Sequence, residues 1–390
     1  MVKSLGIDPG TKSFDIVLLS DGRVVWEKSM ETEQIASNPE ILLQELKREE
    51  GEADIIIGPS GYGVPYVCND DIVDPKIFFS EILLLTPLYL LMKKQNDLGF
   101  NVYRALYKLG TQLWRKGAPA CYIPSVKQLS TVEISFKVNK IDLGTADKLA
   151  STFIASHSLR GVLGENGIND FFLLELGFGY NALIRVKNGY IYGGLGGTSL
   201  GPGFLTAGPL DLEIVVAGKR WKRNSVWKGG LFETCGNIPM YEVFQSRGEI
   251  CRAYAKNMLQ TIKAGIHYLG GSGTEPVVLS GRWSNPELSL FLKKELGLNI
   301  VFTRPRLEGS FASKEAAQGM AMMGDALLGG RFTSIFRQMK LDRAGGTVMD
   351  FIYIPDFRKV AERHFEAYRK SLKKEKFEMI FRNDDESHAE

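Results

Sequence analysis

One order of strands and helices occurs twice in this chain, and the repetition constrains the fold more than any single motif does. The first copy opens with the apolar runs "SLGID", "FDIVLLS" and "VVWEKSM", separated by "PGTK" and by the turn signal "DGR". Three short strands joined by tight turns predict an antiparallel meander. "SNPEILLQELKREE" then predicts a helix, with Asn38 as N-cap and Pro39 at its first position. "ADIIIGPSG" and "ACYIPSV" read as strands, and "TADKLASTFIASHSLR" reads as a helix. The second copy runs "DFFLLELG", "NALIRVKNG" and "YIYGG", a helix from about Glu249 to Tyr268, and the strand "EPVVLSG". It ends with the helix "NPELSLFLKKELG", the strand "NIVFTRP" and the helix "ASKEAAQGMAMMGDALLGG". Two such modules predict a duplicated α/β fold with mixed sheets. The expected domains are 1–150, with an insertion at 62–118, and 151–330, with an insertion at 204–248 and a final connecting helix at 313–330. Residues 331–390 form an extension whose charged end, "YRKSLKKEKFEMIFRNDDESHAE", reads as a solvated helix and a frayed tail.

Composition narrows the partners. A net charge of +3 over 390 residues does not suit a dedicated nucleic-acid binder. The basic-aromatic run "GKRWKRNSVWKGG" is short and reads as a surface hairpin. The most apolar window, "KIFFSEILLLTPLYLLMKK", is interrupted by Glu81 and Pro87 and is short for a membrane span, so a buried helix or helix pair is expected. Cys68, Cys121, Cys235 and Cys251 form no close pair, and the N-terminus has no signal-peptide pattern. Reduced thiols and a cytoplasmic location are the expectation. The histidines and cysteines lack zinc-ligand spacing, and His157 and His267 fall inside expected helices.

Each module carries a polar, glycine-containing turn after its first strand. In "GIDPGTKSFD" the strand delivers Asp8 to its end, where an exposed carboxylate is expected. Gly10 is expected for its backbone freedom, and Thr11 and Lys12 follow it. Backbone N–H groups, a hydroxyl and an ammonium converging on one point suit a phosphate, and Asp8 suits magnesium through water. An ordinary hairpin turn capped by Asp8 is the alternative for this stretch alone. The second turn, "ELGFGYNALI", offers Glu175, Gly177, Gly179 and Asn181. "YGGLGGTSLGPG" adds Gly196, Gly197, Thr198 and Ser199.

These motifs resemble those of the superfamily that holds acetate and sugar kinases, heat-shock chaperone ATPases and actin. "GIDPGT" resembles its first phosphate motif and "ELGFGYNALI" its second. "VVLSGRWSNPEL", with Ser280, Gly281, Arg282 and Asn285, resembles its adenosine motif, and Arg282 or Trp283 is a candidate to stack on adenine or simply to close the loop. "SKEAAQGMAMMGDALLGG" resembles its last connecting helix. More narrowly, the chain resembles a mostly archaeal family labelled predicted butyrate kinase. The resemblance implies two ribonuclease-H-like (actin-like ATPase) modules with a nucleotide cleft between them, and ATP with Mg2+. Three departures stand out: Glu175 replaces the usual aspartate, Gly281 is followed by Arg282 instead of a second glycine, and the asparagine-led first motif of acetate and butyrate kinases is absent, which fits the ATP-binding class better than the specific butyrate label.

Kinases of this superfamily set an aspartate at the start of the helix that leaves the first domain. "IDLGTADKLASTFIA" occupies that position, which makes Asp147 the candidate general base and Asp142 the second candidate. Asp147 would take a proton from a hydroxyl or orient a carboxylate substrate, with Lys148 pairing to a negative group. Lys12 is the other expected catalytic side chain. The resemblance thus implies an ATP-dependent kinase for a small acceptor, a short-chain carboxylate such as butyrate among the candidates; composition gives the expectation of no nucleic acid or membrane partner, and a homodimer is one assembly left open. Two other readings come with the superfamily. One is an ATP-driven switch or activator, although the isolated cysteines do not suit a cluster-bearing activator and the residues after Gly330 are too few for a chaperone's peptide domain. The other is a nuclease, because "GIDPG" also resembles a resolvase motif.

Overall fold

The computed structural model describes residues 1–84, 86–164, 169–218 and 221–381. The chain forms two compact units. The first is built from Met1–Ile141, Thr145–Ile154 and the described part of Arg306–Glu390. The second comprises Asp142–Gly144 and Ala155–Pro305.

The sheet of the first unit has six strands: β1 (Lys3–Pro9), β2 (Ser13–Ser20), β3 (Arg23–Glu31), β4 (Ile55–Ile57), β5 (Val67–Cys68) and β6 (Ala120–Tyr122). Their order is β3-β2-β1-β4-β6-β5. β1, β2 and β3 are antiparallel, and β4 and β6 run parallel to β1. The second unit has β7 (Asp170–Leu176), β8 (Asn181–Lys187), β9 (Tyr190–Leu195), β10 (Pro276–Ser280) and β11 (Asn299–Thr303). Its order, β11-β10-β7-β8-β9, reproduces that of the first sheet strand for strand, except for the extra edge strand β5. β7–β9 form the meander, and β10 and β11 are parallel to β7. The duplicated mixed-sheet fold is therefore present as expected.

β1 and β2 carry buried residues on both faces, which is why their sequences read as near-continuous apolar runs. One cover is the helix Glu315–Leu327, which is buried from Glu315 to Ala326. It packs on β1 and joins the first unit, not the module of residues 151–330 in which its position along the chain had grouped it. Small residues make this possible. A Cβ on Gly6 would lie 2.3 Å from the Ala317 carbonyl oxygen and 2.5 Å from the Ala321 nitrogen. Gly6→Ala should therefore push the helix off the strand and cost about 1–3 kcal/mol, read as a lowered midpoint in denaturant.

The apolar window of the insertion is a pair of short helices, Pro75–Glu81 and Leu88–Met92, with Leu85 outside the described residues. Among the described residues no helix is long and apolar enough to cross a membrane. The basic-aromatic run is not a hairpin where it is described. It makes a 3-10 turn, Arg223–Trp227, in which the Arg223 guanidinium lies over the Trp227 ring; Lys219 and Arg220 lie outside the described residues.

Two expectations are overturned. The C-terminal helices Arg358–Ser371 and Lys374–Phe381 are not simply a solvated appendage. Tyr368, Leu372 and Ile380 are buried in one core with Phe78, Phe79 and Tyr122, and Leu372 bridges to Ile72 of the insertion. In the helix Arg358–Ser371 the lysines and arginines fall on one face, and the buried His364 and Tyr368 lie on the other. Residues 382–390, the expected frayed tail, lie outside the described residues. The cysteines are also paired. Cys68 and Cys121 sit directly opposite on β5 and β6 and form one disulfide, and Cys235 and Cys251 form another. Partners 53 and 16 residues apart give no local pattern, and pairing of β5 with β6 sets the first bridge.

Candidate functional site

The hairpin between β1 and β2 builds the site of the first unit. Asp8 and Asp15 are register partners across the two strands, so their side chains share one face. The Lys314 ammonium, from the residue that precedes the helix Glu315–Leu327, lies between them. It is 2.6 Å from Asp8 Oδ2 and 3.2 Å from Asp15 Oδ2. Ser13 Oγ donates to the same Asp15 oxygen at 2.8 Å. The other oxygen of each carboxylate is buried and accepts no hydrogen bond from the described residues.

Asp8 is thus not the exposed strand-end side chain expected of it. It is only 2 % exposed, because Lys314 and the helix behind it close over the strand end. Gly10 is also present for a different reason. Its φ is not positive, so backbone freedom is not what the position demands. A Cβ there would instead lie 2.0 Å from Lys314 Nζ and 2.9 Å from the Ser13 carbonyl oxygen. The Gly10 N–H donates to that carbonyl at 3.0 Å and closes the turn. Thr11 is exposed at the tip, and Lys12 pairs with Glu33 at 3.5 Å. Lys314, and not Lys12, is the cation in contact with Asp8.

Asp147, in the first turn of the helix Ala146–Leu163, influences the same cluster electrostatically. It accepts from Thr145 Oγ1 at 2.5 Å and from Lys148 Nζ at 2.8 Å. Burial alone would raise its pKa, but Lys148, Thr145 and Lys314 together bring it below the ordinary value. Asp8 moves the opposite way. Burial and the nearby negative charges of Asp147 and Asp15 raise it, and Lys314 only partly offsets them. Lys314 itself is held protonated: burial works against its charge, but Asp8 and Asp15 outweigh that cost. Two ion-paired sets, the buried Asp8 and Asp15 with Lys314, and the half-buried Asp147 with Lys148, therefore act on one another electrostatically.

Glu27 on β3 holds the loop that carries Lys314. Its carboxylate accepts from the N–H groups of Phe311 and Ala312, both at 2.6 Å, and from that of Ser313 at 3.2 Å. The Ser310 and Ser313 hydroxyls add bonds at 2.9 and 2.6 Å. Partial burial pushes the Glu27 pKa up, but these donors hold it at about 2 against an ordinary 4.5. A carboxylate depressed in the folded state stabilises it above the unfolded value, and that contribution fades as pH falls from 4.5 toward 2. In thermal melts, Glu27→Gln should lower the midpoint at neutral pH, and its deficit relative to the parent should shrink across that acidic window.

In the second unit Glu175 and Ser280 are register partners on β7 and β10, and both are buried. The Gly177 N–H donates to the Tyr180 carbonyl at 3.1 Å and closes the hairpin. The Gly179 carbonyl accepts from Leu205 and Thr206, and Asn181 Nδ2 donates to Pro202, so this turn supports the start of the insertion. Asn181 Oδ1 and Ser280 Oγ are buried and have no partner among the described residues. Gly281 has φ +95°, and a Cβ there would lie 2.6 Å from the Leu176 carbonyl oxygen. Arg282 is exposed, and Trp283 stacks on Phe178 with centroids 5.8 Å apart. Asn285 Oδ1 accepts from the Leu288 N–H at 2.7 Å as the N-cap of the helix Pro286–Leu296. Asp142 lies against Gly196 and Gly197, where a Cβ would approach its oxygens to 2.4 and 2.7 Å, and Thr198 is exposed at the end of that loop.

Sequence reasoning missed Asp15, Glu27 and Lys314. Asp15 left a signal, a charge inside the apolar run "FDIVLLS" at the position facing Asp8. Lys314 left none, because it lies 306 residues from its partner.

The residues present fit a magnesium ion and a nucleotide. Magnesium uses one or two carboxylates and completes its shell with water and phosphate oxygens. The unengaged oxygens of Asp8 and Asp15 supply that number. Asn181 Oδ1 and Ser280 Oγ are polar atoms a nucleotide could satisfy. Among the described residues no group of three or more His, Cys, Asp or Glu is arranged to hold a metal by itself.

Comparison with solved structures places the architecture. The acetate kinase of Porphyromonas gingivalis superposes with a TM-score of 0.51 at 14% identity, over 84% of this chain and 100% of that one. That likeness shows the fold alone, the duplicated actin-like ATPase fold. The acetate kinase of Entamoeba histolytica aligns with a TM-score of 0.48 at 14% identity, over 76% of this chain and 86% of that one. The ROK hexokinase of Thermus thermophilus gives 0.37 at 14% identity, over 84% and 100%. No curated protein matches the sequence significantly. A family model described as "Protein of unknown function (DUF1464)" matches residues 6–354, and the chain belongs to that family.

Proposed function

We propose that the protein is an ATP-dependent, Mg2+-assisted kinase for a small carboxylate. The observation that carries this reading is the charge pattern of the first unit, where Asp8 pairs with Lys314, Asp147 pairs with Lys148, and the two pairs influence one another electrostatically. In this reading Asp8 holds magnesium, and the turn at Gly10, Thr11 and Lys12 takes phosphate oxygens. Taken by itself, the second unit offers Glu175, Gly177, Gly179, Asn181, Gly196, Gly197 and Thr198 as its candidate phosphate residues and Ser280, Gly281, Arg282 and Asn285 as its candidate adenosine residues. Magnesium, when bound, neutralises charge on the phosphoryl group being transferred.

The electrostatics of Asp147 favour a carboxylate over an alcohol as acceptor. Abstracting a proton from a hydroxyl calls for a base poised near the working pH. Asp147 is biased the other way, toward a weaker base, by Lys148 and Thr145. A carboxylate acceptor needs no deprotonation. One of its oxygens forms the new P–O bond, the bond from the γ-phosphorus to the β,γ-bridging oxygen breaks, and ADP leaves with that electron pair. Asp147 then acts by fixing Lys148, whose ammonium faces the negative acceptor. Butyrate and other short-chain carboxylates are the first acceptors to test.

The experiment is ADP release from MgATP with a panel of short-chain carboxylates, measured beside a panel of sugars and alcohols. Turnover with carboxylates supports the reading. Turnover with hydroxyl acceptors alone would remove the argument from Asp147. ADP release that needs no acceptor would favour the switch or activator reading.

A further inference from the structure

We propose that Lys314 is a resident counter-cation that a divalent metal must displace from Asp8 and Asp15. This inference rests on the reading of Asp8 as the metal-binding residue, and it concerns how that site is loaded.

The argument is geometric. Lys314 Nζ lies at hydrogen-bond distance from both carboxylates, whose side chains are 3% and 1% exposed. Two buried carboxylates this close need a compensating charge for the hairpin to fold. Lys314 supplies that charge from within the chain. Gly10 leaves the space its ammonium occupies, and Glu27 holds the preceding loop in place with five hydrogen bonds. These three features build a seat for an ammonium group.

Magnesium bound to the same carboxylates would sit about 2.0–2.1 Å from its oxygens. A divalent ion and an ammonium cannot share that space. Their repulsion inside a low-dielectric site is far larger than in water. The unengaged oxygens of Asp8 and Asp15 are buried beside the ammonium, so a cation that takes them into its shell pushes the ammonium away. Because Glu27 pins the loop, the change falls on the flexible four-carbon stem of Lys314 and not on its backbone. The displaced ammonium is then free to meet an anionic group beside the metal. Metal loading and exposure of Lys314 are thus one event.

The test uses MgCl2 alone, without nucleotide, so it is independent of whether the protein turns ATP over. In the parent protein, acylation of Lys314 by a water-soluble acetylating reagent is followed by peptide mass spectrometry. Millimolar MgCl2 should raise the Lys314 labelling rate several-fold and leave Lys12 unchanged. In a parallel arm, Lys314→Met should bind Mg2+ with a Kd about tenfold lower than the parent, because its competitor is gone. If Lys314→Met does not fold without metal, MgCl2 should restore its folding, and failure to do so counts against the proposal. Labelling of Lys314 that MgCl2 leaves unchanged or suppresses would overturn the displacement. A parent that binds MgATP and releases ADP but shows no such change would leave the kinase reading standing and this inference refuted.

Discussion

Asp147→Asn is expected to reduce turnover by ~10²-fold or more while nucleotide affinity stays nearly unchanged. The exchange is isosteric, and an asparagine can still accept the Thr145 hydroxyl bond. What is lost is the negative charge that holds the Lys148 ammonium at 2.8 Å. If that ammonium faces the acceptor, its loss of position is felt in the transition state and not in nucleotide binding. Isothermal titration with MgATP and steady-state ADP release separate the two. A variant that loses nucleotide affinity in proportion to turnover would move Asp147 from the acceptor to the nucleotide. The pH profile adds a signed check. Asp147 lies below its ordinary 3.8, so it stays ionised at any working pH, and the acidic limb of the parent's activity should not originate from it. A limb near neutrality that disappears in the variant would contradict the assignment.

Tyr368→Ala should be the most damaging single truncation in the C-terminal region, at about 3–5 kcal/mol. Tyr368 is 1% exposed and packs edge-on to Phe78, with further ring contacts to Phe381 and His364. Its removal would open a cavity between the C-terminal helix and the insertion, far along the chain from either. Denaturant unfolding measures the loss. A change below about 1 kcal/mol would mean that these helices dock without contributing to the core, which is how an appendage behaves. The adjacent Lys370 is exposed and should tolerate alanine with little effect.

Much of the architecture was legible because its determinants are local. The meanders, the turn at "DGR", and the cap formed by Asn285 and Pro286 depend on residues within a few positions of one another. The helix read from about Glu249 to Tyr268 has those bounds in the structure. The duplication was legible for the same reason, since it is an order of local elements. The electrostatic influence of Asp147 on Asp8 was only partly so. Each lies at the end of an element the sequence defines, but what surrounds them does not.

The sequence by itself determined the kinds of elements, their order and the placement of polar residues at their ends, since periodicity, turn chemistry and capping act over a few residues. Only the tertiary structure decided which charges meet. It brought Lys314 to Asp8, joined Cys68 to Cys121, buried one face of the final helices and made Gly10 a matter of space instead of backbone freedom. Each of these contacts joins segments distant along the chain, which approach only when strands pair or a sheet acquires its cover. No local pattern encodes such an approach, because the energy that fixes it belongs to the packed core as a whole.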